Sequence, residues 1–332
     1  DVFQVVTGRA ASGAALVDRV DGVMFTGSVA TGRKVAARAG ARLVPCVTEL
    51  GGKSPFVVLA SANLERAAEA AAWSSFVHSG QACIRTERIY VVEAVASRFE
   101  ELLAGRVRAL RQGPPDPLSG EGPDLGAATF PRQLETVERH LADALGKGAR
   151  LASGGKRRED LPGNFFEPTL LLGAAQEMAV MREETFGPLV AVMRVKDAEE
   201  ALRLANDTHL GLNATVFGAP HEAMALARRL ESGQVIVNDA LVNYIVVEAP
   251  LGGWKGSGLG VRHGIEGVRQ WTRTQAITVR RPLLAPAERL VAMALAFPYD
   301  ERVLSVLRRA TRLLYRRGIS AKLERPPGDR RP

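Results

Sequence analysis

The chain has 332 residues, 46% of them hydrophobic and 24% charged, which is ordinary for a soluble globular protein and long enough for two domains. Its net charge of +8 gathers at one end: residues 281–332 hold 12 Lys+Arg against 5 Asp+Glu, so the nearly neutral remainder argues against a nucleic-acid-binding body. Two cysteines supply neither a disulfide framework nor metal-ligand spacing, no secretory signal pattern opens the chain, and no apolar run nears the ~20 residues that span a bilayer; a reducing cytoplasm is the expected home.

In chain order, residues 3–6 read as a short strand and 14–20 as a helix. Residues 23–25 form a strand, Thr26-Gly27-Ser28 a turn, and 29–39 a helix closed by Gly40. Residues 43–48 are a strand leading into Glu49-Leu-Gly-Gly-Lys-Ser-Pro55, followed by a strand at 56–59. This strand–helix–strand alternation predicts a parallel α/β sheet. A helix over 60–77 precedes the loop His78-Ser-Gly-Gln-Ala-Cys83 and a strand at 88–92. Helices are expected at 94–112, 132–146, 198–206 and 221–232. Strands are expected at 150–152, 166–171, 189–194 and 235–238, with a Pro/Gly/Asp loop over 113–126.

Three local features could carry chemistry. At Phe25-Thr-Gly-Ser28, a glycine turn and a Ser-capped helix present free N–H groups and a positive dipole end, which suit a phosphate or merely start a helix. Cys83 sits in a Gly-containing loop, where a thiol is either a nucleophile or a small buried hydrophobe. Cys46 lies in an apolar strand and reads as core. Glu49 ends an apolar strand before two glycines, so it is either a buried base with a raised pKa or a solvated turn acid.

Taken together, the strings FTGS, ELGGKSP, SGQACIRTER, EETFGP and PLGGWKGSGLG resemble the aldehyde dehydrogenase superfamily in order and spacing. So do NDTHLGLNATVFG and the 34 residues from Glu49 to Cys83. The resemblance runs from Asp1 to about Val279. It implies an α/β fold with part of a Rossmann-like cofactor domain (1–50), a catalytic domain (51–256), a return segment with an oligomerisation strand (257–280) and a basic tail (281–332). It also implies oxidation of an aldehyde to a carboxylic acid with NAD or NADP, in a dimer or tetramer, without metal. Cys83 would attack the aldehyde carbon, its backbone N–H would stabilise the oxyanion, and Glu49 would activate the hydrolytic water. Thr26, Gly27 and Ser28 would meet the cofactor pyrophosphate. Leu50 and Gly51 would lie beside the nicotinamide, Glu184 and Phe186 would hold its ribose and ring, and Asn238 would shape the pocket.

Departures from the family pattern qualify this. An Asn oxyanion donor and a Lys for the adenosine ribose would precede the FTGS segment, before Asp1, so the chain reads as N-terminally truncated. A catalytically silent binding or oligomerisation module is therefore the alternative. Leu251 replaces the family's pocket Phe in Pro250-Leu-Gly-Gly253 and implies a different or roomier substrate site. Gly260-Val-Arg262 replaces Gly-Arg-Glu and removes an acid. The retained Glu49 favours hydrolysis over transfer to CoA. In the tail, Val303, Val306, Leu307, Ala310, Leu313 and Leu314 fall on one helical face, with Arg308, Arg309, Arg312, Arg316 and Arg317 around the rest. Such a helix suits an anionic membrane surface or an acidic partner, or docks on its own body or a neighbouring subunit.

Overall fold

The computed structural model describes residues 2–114, 122–279, 288, 292 and 301–315. Contacts divide the chain into two units, Asp1–Arg273 and Thr274–Pro332.

The first unit is organised around two main sheets. The smaller begins with helix α1 (Ala10–Val17), strand β1 (Val23–Thr26), helix α2 (Val29–Ala41) and strand β2 (Cys46–Glu49). β1 and β2 are parallel, with Thr26 beside Glu49, and α2 is the crossover between them. Val17, Val23 and Ala39 form a small core that includes the half-buried Cys46. A late strand, β12 (Gly258–Leu259), returns to pair antiparallel with β2, placing Gly258 beside Glu49.

The larger sheet contains β3 (Pro55–Val58), β4 (Arg88–Val92), β5 (Arg150–Ser153), β6 (Thr169–Leu172), β7 (Leu189–Val195), β9 (Asn213–Phe217) and β10 (Gln234–Val237). Its order is β10-β9-β3-β4-β7-β6-β5, parallel throughout except for the edge pair β5–β6. Helices α3 (Leu64–Phe76) and α4 (Glu93–Arg108) cover one face, burying Phe56, Val58, Ile89 and Val91. Helices α5 (Pro131–Gly146), α7 (Ala198–Asn206) and α8 (Pro220–Ala227) help cover the other, over Val57, Tyr90 and Val216. Coverage on both faces explains why these strands are continuous apolar runs without alternation. Short pieces complete the unit: α6 (Ala179–Arg182), the pair β8 (Leu210–Gly211) with β11 (Trp254–Lys255), and α9 (Gly264–Arg269).

Local signals were read correctly where a side chain settles them. Ser28 caps α2 by accepting from Thr31 N at 3.3 Å, and Asn63 caps α3 by accepting from Arg66 N at 3.1 Å. Several boundaries shift by a few residues, the helix expected at 94–112 ending at Arg108 and the strand expected at 43–48 starting at Cys46 among them, and other expectations change as well. Residues 3–6 form no strand, because no described strand offers them a ladder. The strand expected at 166–171 begins at Thr169, since Pro168 has no N–H to donate. The helix expected over 221–232 ends at Ala227. Finally, β9 was not anticipated: it is buried along its whole length, so no alternation marks it.

In the second unit, helix α10 (Glu301–Tyr315) buries Val303 and half-buries Leu304, Val306 and Leu307, while Arg308, Arg309 and Arg312 are exposed. The side chains of Ala310, Leu313 and Leu314, and residues Arg316 and Arg317, lie outside the described residues.

Candidate active site

The segment Glu49–Ser54 leaves β2 in the small sheet and enters β3 in the large one, and the site forms at this passage. Its backbone is pinned on both sides. Leu50 N donates to Ser257 O at 2.8 Å, and Ser257 Oγ donates to Gly51 O at 2.7 Å while accepting from Gly211 N. The two glycines are steric requirements. A Cβ on Gly51 would lie 2.3 Å from Glu184 Oε2, and one on Gly52 would lie 2.4 Å from the carbonyl oxygen of Cys83. The segment can therefore lie against both the EETFGP stretch and the cysteine loop.

That loop leaves α3 through left-handed His78, Ser79 and Gly80, with φ of 54°, 56° and 73°. A Cβ on Gly80 would meet Gly187 O at 2.2 Å. Ser79 Oγ donates to Gly126 O at 2.8 Å, and Gln81 Oε1 accepts from Thr129 N at 2.8 Å. Non-glycine residues in this conformation persist only where surrounding contacts hold them, and they concentrate at functional sites. Phe186 and Leu241, also on the cleft, have φ of 49° and 59°.

Cys83, Glu49, Leu50, Gly51, Glu184 and Phe186 line one cleft of about 900 Å³ with Thr26, Gly27 and Ser28 at the α2 end. Trp73, Val77, Ile84, Leu241, Tyr244 and Ile245 make another wall strongly apolar. Eight of the ten remaining expected site residues thus meet Cys83 in space; the two others do not line the cleft. Asn238 instead joins β10 to β9, donating to Gly218 O at 2.8 Å and accepting from Gly218 N at 3.0 Å. Leu251 is buried, at 2% exposed, and is absent from the cleft lining, which includes Tyr244 and Ile245.

The site's acids are electrostatically unusual. Burial raises Glu49 to about 7, with Arg262 opposing the rise, and leaves its Oε1 without a hydrogen-bond partner. Burial and the nearby Glu87 charge raise Glu184 to about 7, although Gly52 N donates to it at 3.0 Å. The Cys83 thiol is pushed up by burial and then by Glu184 and Glu49, again with Arg262 in opposition. A carboxylate near neutrality is matched to proton transfer at physiological pH.

Sequence reasoning missed four charged residues. Glu87, 1% exposed, accepts from Lys53 Nζ at 2.6 Å and pairs with Arg85 at 2.6 Å. It also accepts from the N–H groups of Thr185 and Phe186, both at 3.1 Å. Burial alone would raise this carboxyl, but Arg85 and Lys53 overcome it and hold it at about 2. Lys53 and Glu87 belong to the quoted strings; an ionic residue inside a strand-adjacent apolar run was the available signal. Arg262 was seen as the loss of an acid, not as a cation in the cleft.

The family model described as "Aldehyde dehydrogenase family" matches residues 1–277, and the chain belongs to that family. It is 41% identical over 286 residues to a Mycolicibacterium smegmatis protein named "Putative succinate-semialdehyde dehydrogenase, NADP(+)", covering 85% of this chain and 55% of that one. It is 43% identical to "4,4'-diapolycopene aldehyde oxidase" of Methylomonas sp, covering 80% and 49%. The NADP complex of NADP-dependent glyceraldehyde-3-phosphate dehydrogenase from Bacillus halodurans superposes with a TM-score of 0.75 at 35% identity, covering 81% and 55%. The α/β fold is that of aldehyde dehydrogenase structures, and the chain spans about half the length of the curated relatives it matches.

Replacing Glu87 by Gln should destabilise the fold by roughly 3–5 kcal/mol, because Lys53 and Arg85 would remain as buried charges with no anion. With the folded carboxyl at about 2 and its ordinary value at 4.5, the stabilisation is complete above about 4.5. It should fade as pH falls through that window toward 2. Urea unfolding of both proteins between pH 3 and 7 measures this: the gap between them should narrow toward pH 3.

Proposed function

We propose that the chain oxidises an aldehyde to a carboxylic acid with NAD or NADP through a covalent intermediate on Cys83. The observation carrying this reading is the meeting of Cys83 and Glu49 in one cleft with Glu184, Phe186 and the capped start of α2. Residues fitting the cofactor are present: exposed backbone at Thr26–Ser28 for its pyrophosphate, Leu50 and Gly51 beside the nicotinamide, and Glu184 and Phe186 for ribose and ring. When bound, NAD(P)+ supplies the two-electron acceptor.

Cys83 forms a C–S bond with the aldehyde carbon, giving a thiohemiacetal whose oxygen faces the Cys83 backbone N–H. Oxidation leaves a thioester. Glu49 takes a proton from water, the water oxygen bonds to the acyl carbon, and the C–S bond breaks to release the acid and the thiol. Burial lets Glu49 hold that proton near neutral pH, whereas an ordinary carboxylate would be a weaker base. The apolar wall of Trp73, Val77, Ile84 and Ile245 suits an aldehyde with an apolar body. Exposed Leu259 on β12, Ile265 and Val268 on α9, and Trp271 just after it support a dimer or tetramer.

The alternative is a silent binding or oligomerisation module. Aldehyde-dependent NAD(P)H formation separates the two. Cys83→Ser should lower it by on the order of 10⁴-fold or more, and Cys46→Ser, outside the cleft, should leave it near the parent rate. Turnover by Cys83→Ser at the parent rate overturns the enzyme reading, and absent turnover by the parent favours the module.

Glu49→Gln should form the acyl-enzyme and fail to clear it, which intact mass spectrometry detects as a persistent adduct. In the parent, hydrolysis of that adduct should be slow below pH 6 and rise through about 7 as the carboxyl ionises. Rapid clearance by Glu49→Gln would assign the base to another group.

The arginine face of α10 supports contact with an anionic membrane surface, at about 1 kcal/mol per basic residue near the surface. Co-sedimentation of the full chain with phosphatidylserine vesicles should be strong at low salt and weaker as salt shortens the screening length. It should drop when Arg308, Arg309 and Arg312 are replaced by Glu. Pelleting that ignores both changes removes the membrane contact.

A further inference from the structure

Arg262 lies between β12 and α9, and its placement is enforced by a neighbour. Leu251 N donates to Arg262 O at 2.6 Å and Arg262 N donates to Leu251 O at 2.7 Å, a two-bond clasp on a residue whose side chain is buried. The guanidinium carbon stands 5.9 Å from the centre of the Tyr244 ring, whose edge also meets His263 at 6.2 Å. Among the described residues lining the cleft, Arg262 is the one Arg or Lys.

Two unfilled groups face this cleft. Arg262 Nε and Glu49 Oε1 are each buried without a hydrogen-bond partner. Buried polar atoms left unpaired cost about 1–3 kcal/mol each, so such a pair in one site points to a shared arrangement during the working cycle. The charge of Arg262 is also felt at both Glu49 and Cys83. The other titratable groups of the site are Cys83 from the α3–β4 loop, Glu184 from the α6–β7 segment and His78 from the start of the cysteine loop. When ionised, Glu184 and Cys83 would repel a charged Glu49, whereas Arg262 attracts it.

We propose that Arg262 is a positioning residue that receives the carboxylate of Glu49 on the cleft wall, directly or through one water, and holds it beside Cys83. This role rests on the reading of Cys83 as nucleophile and Glu49 as base. Arginine suits it because its planar fork offers several donors, stays charged at all working pH values and stacks on the Tyr244 ring. The Leu251 clasp thereby acquires a purpose: it sets the position of the cation, while other residues line the substrate.

The test follows one acyl group. The full chain is acylated at Cys83 with p-nitrophenyl acetate, in a Cys46→Ser background, and hydrolysis of the adduct is timed by intact mass from pH 5 to 9. Removing the cation in Arg262→Gln should move the midpoint of this profile to higher pH by about one unit, making hydrolysis ~10-fold slower at pH 6 while the rates converge toward pH 9. Arg262→Lys should keep the midpoint closer to the parent's. A merely structural role would lower the rate alike at every pH, and that outcome, or an unmoved midpoint with normal acylation, overturns the assignment of Arg262. Failure of Cys83 to take the acyl group, or clearance by Glu49→Gln at the parent rate, instead overturns the Cys83–Glu49 reading and this role with it.

Discussion

The carboxylate of Glu87 accepts or pairs with Lys53, Arg85 and the backbone N–H groups of Thr185 and Phe186, all inside the protein. Two oxygen atoms thus tie the Glu49–Ser54 passage, the Arg85–Glu87 stretch after the cysteine loop and the Thr185–Phe186 stretch, with Glu87 and Phe186 99 residues apart in the chain. Each tie is charge-assisted, and removing one partner would leave another charge buried. The cleft depends on this arrangement because these segments bring Glu49, Cys83, Glu184 and Phe186 to one place. A buried ionic cluster is a costly way to gain stability, but it fixes relative position in a way that apolar packing does not.

Close approach is the second constraint. Gly51 and Gly52 admit Glu184 and Cys83 to within distances that a methyl group would forbid, and Gly80 does the same for Gly187. The cost is backbone held in the left-handed region at His78, Ser79 and Phe186. Strain and missing side chains sit together where the reacting groups converge, while the flanking strands are ordinary buried β-structure. Rigidity is thus supplied by the seven-stranded sheet and the exceptional geometry is confined to its rim.

The third feature is a charge balance tuned by burial. Glu49 and Glu184 are both moved to about 7, and the Cys83 thiol is moved up as well. Burial is the first cause at all three, and at Cys83 the neighbouring Glu184 and Glu49 add to it. Arg262 is the counterweight. Its main chain is held by two backbone hydrogen bonds to Leu251.

Much of this was legible in the residues alone. Ser28 and Asn63 declare their helices because a side-chain oxygen next to free N–H groups is a local arrangement. The strings around Glu49, Cys83 and Phe186 announced the family, and most of the residues they named do share the cleft. Other features had no local signature. Residues 3–6 have strand composition but no ladder, and β9 is a strand because β3 and β10 flank it. Glu87 is an unremarkable acid until folding brings Lys53, Arg85 and Phe186 to it. Arg262 lines the cleft and Leu251 does not, because which side chain reaches the cleft depends on the pairing of two distant segments. Hydrogen-bond propensity and steric fit act between chain neighbours and can be read in order. Burial, electric field and strand pairing depend on distances through space, and only the tertiary structure supplies those.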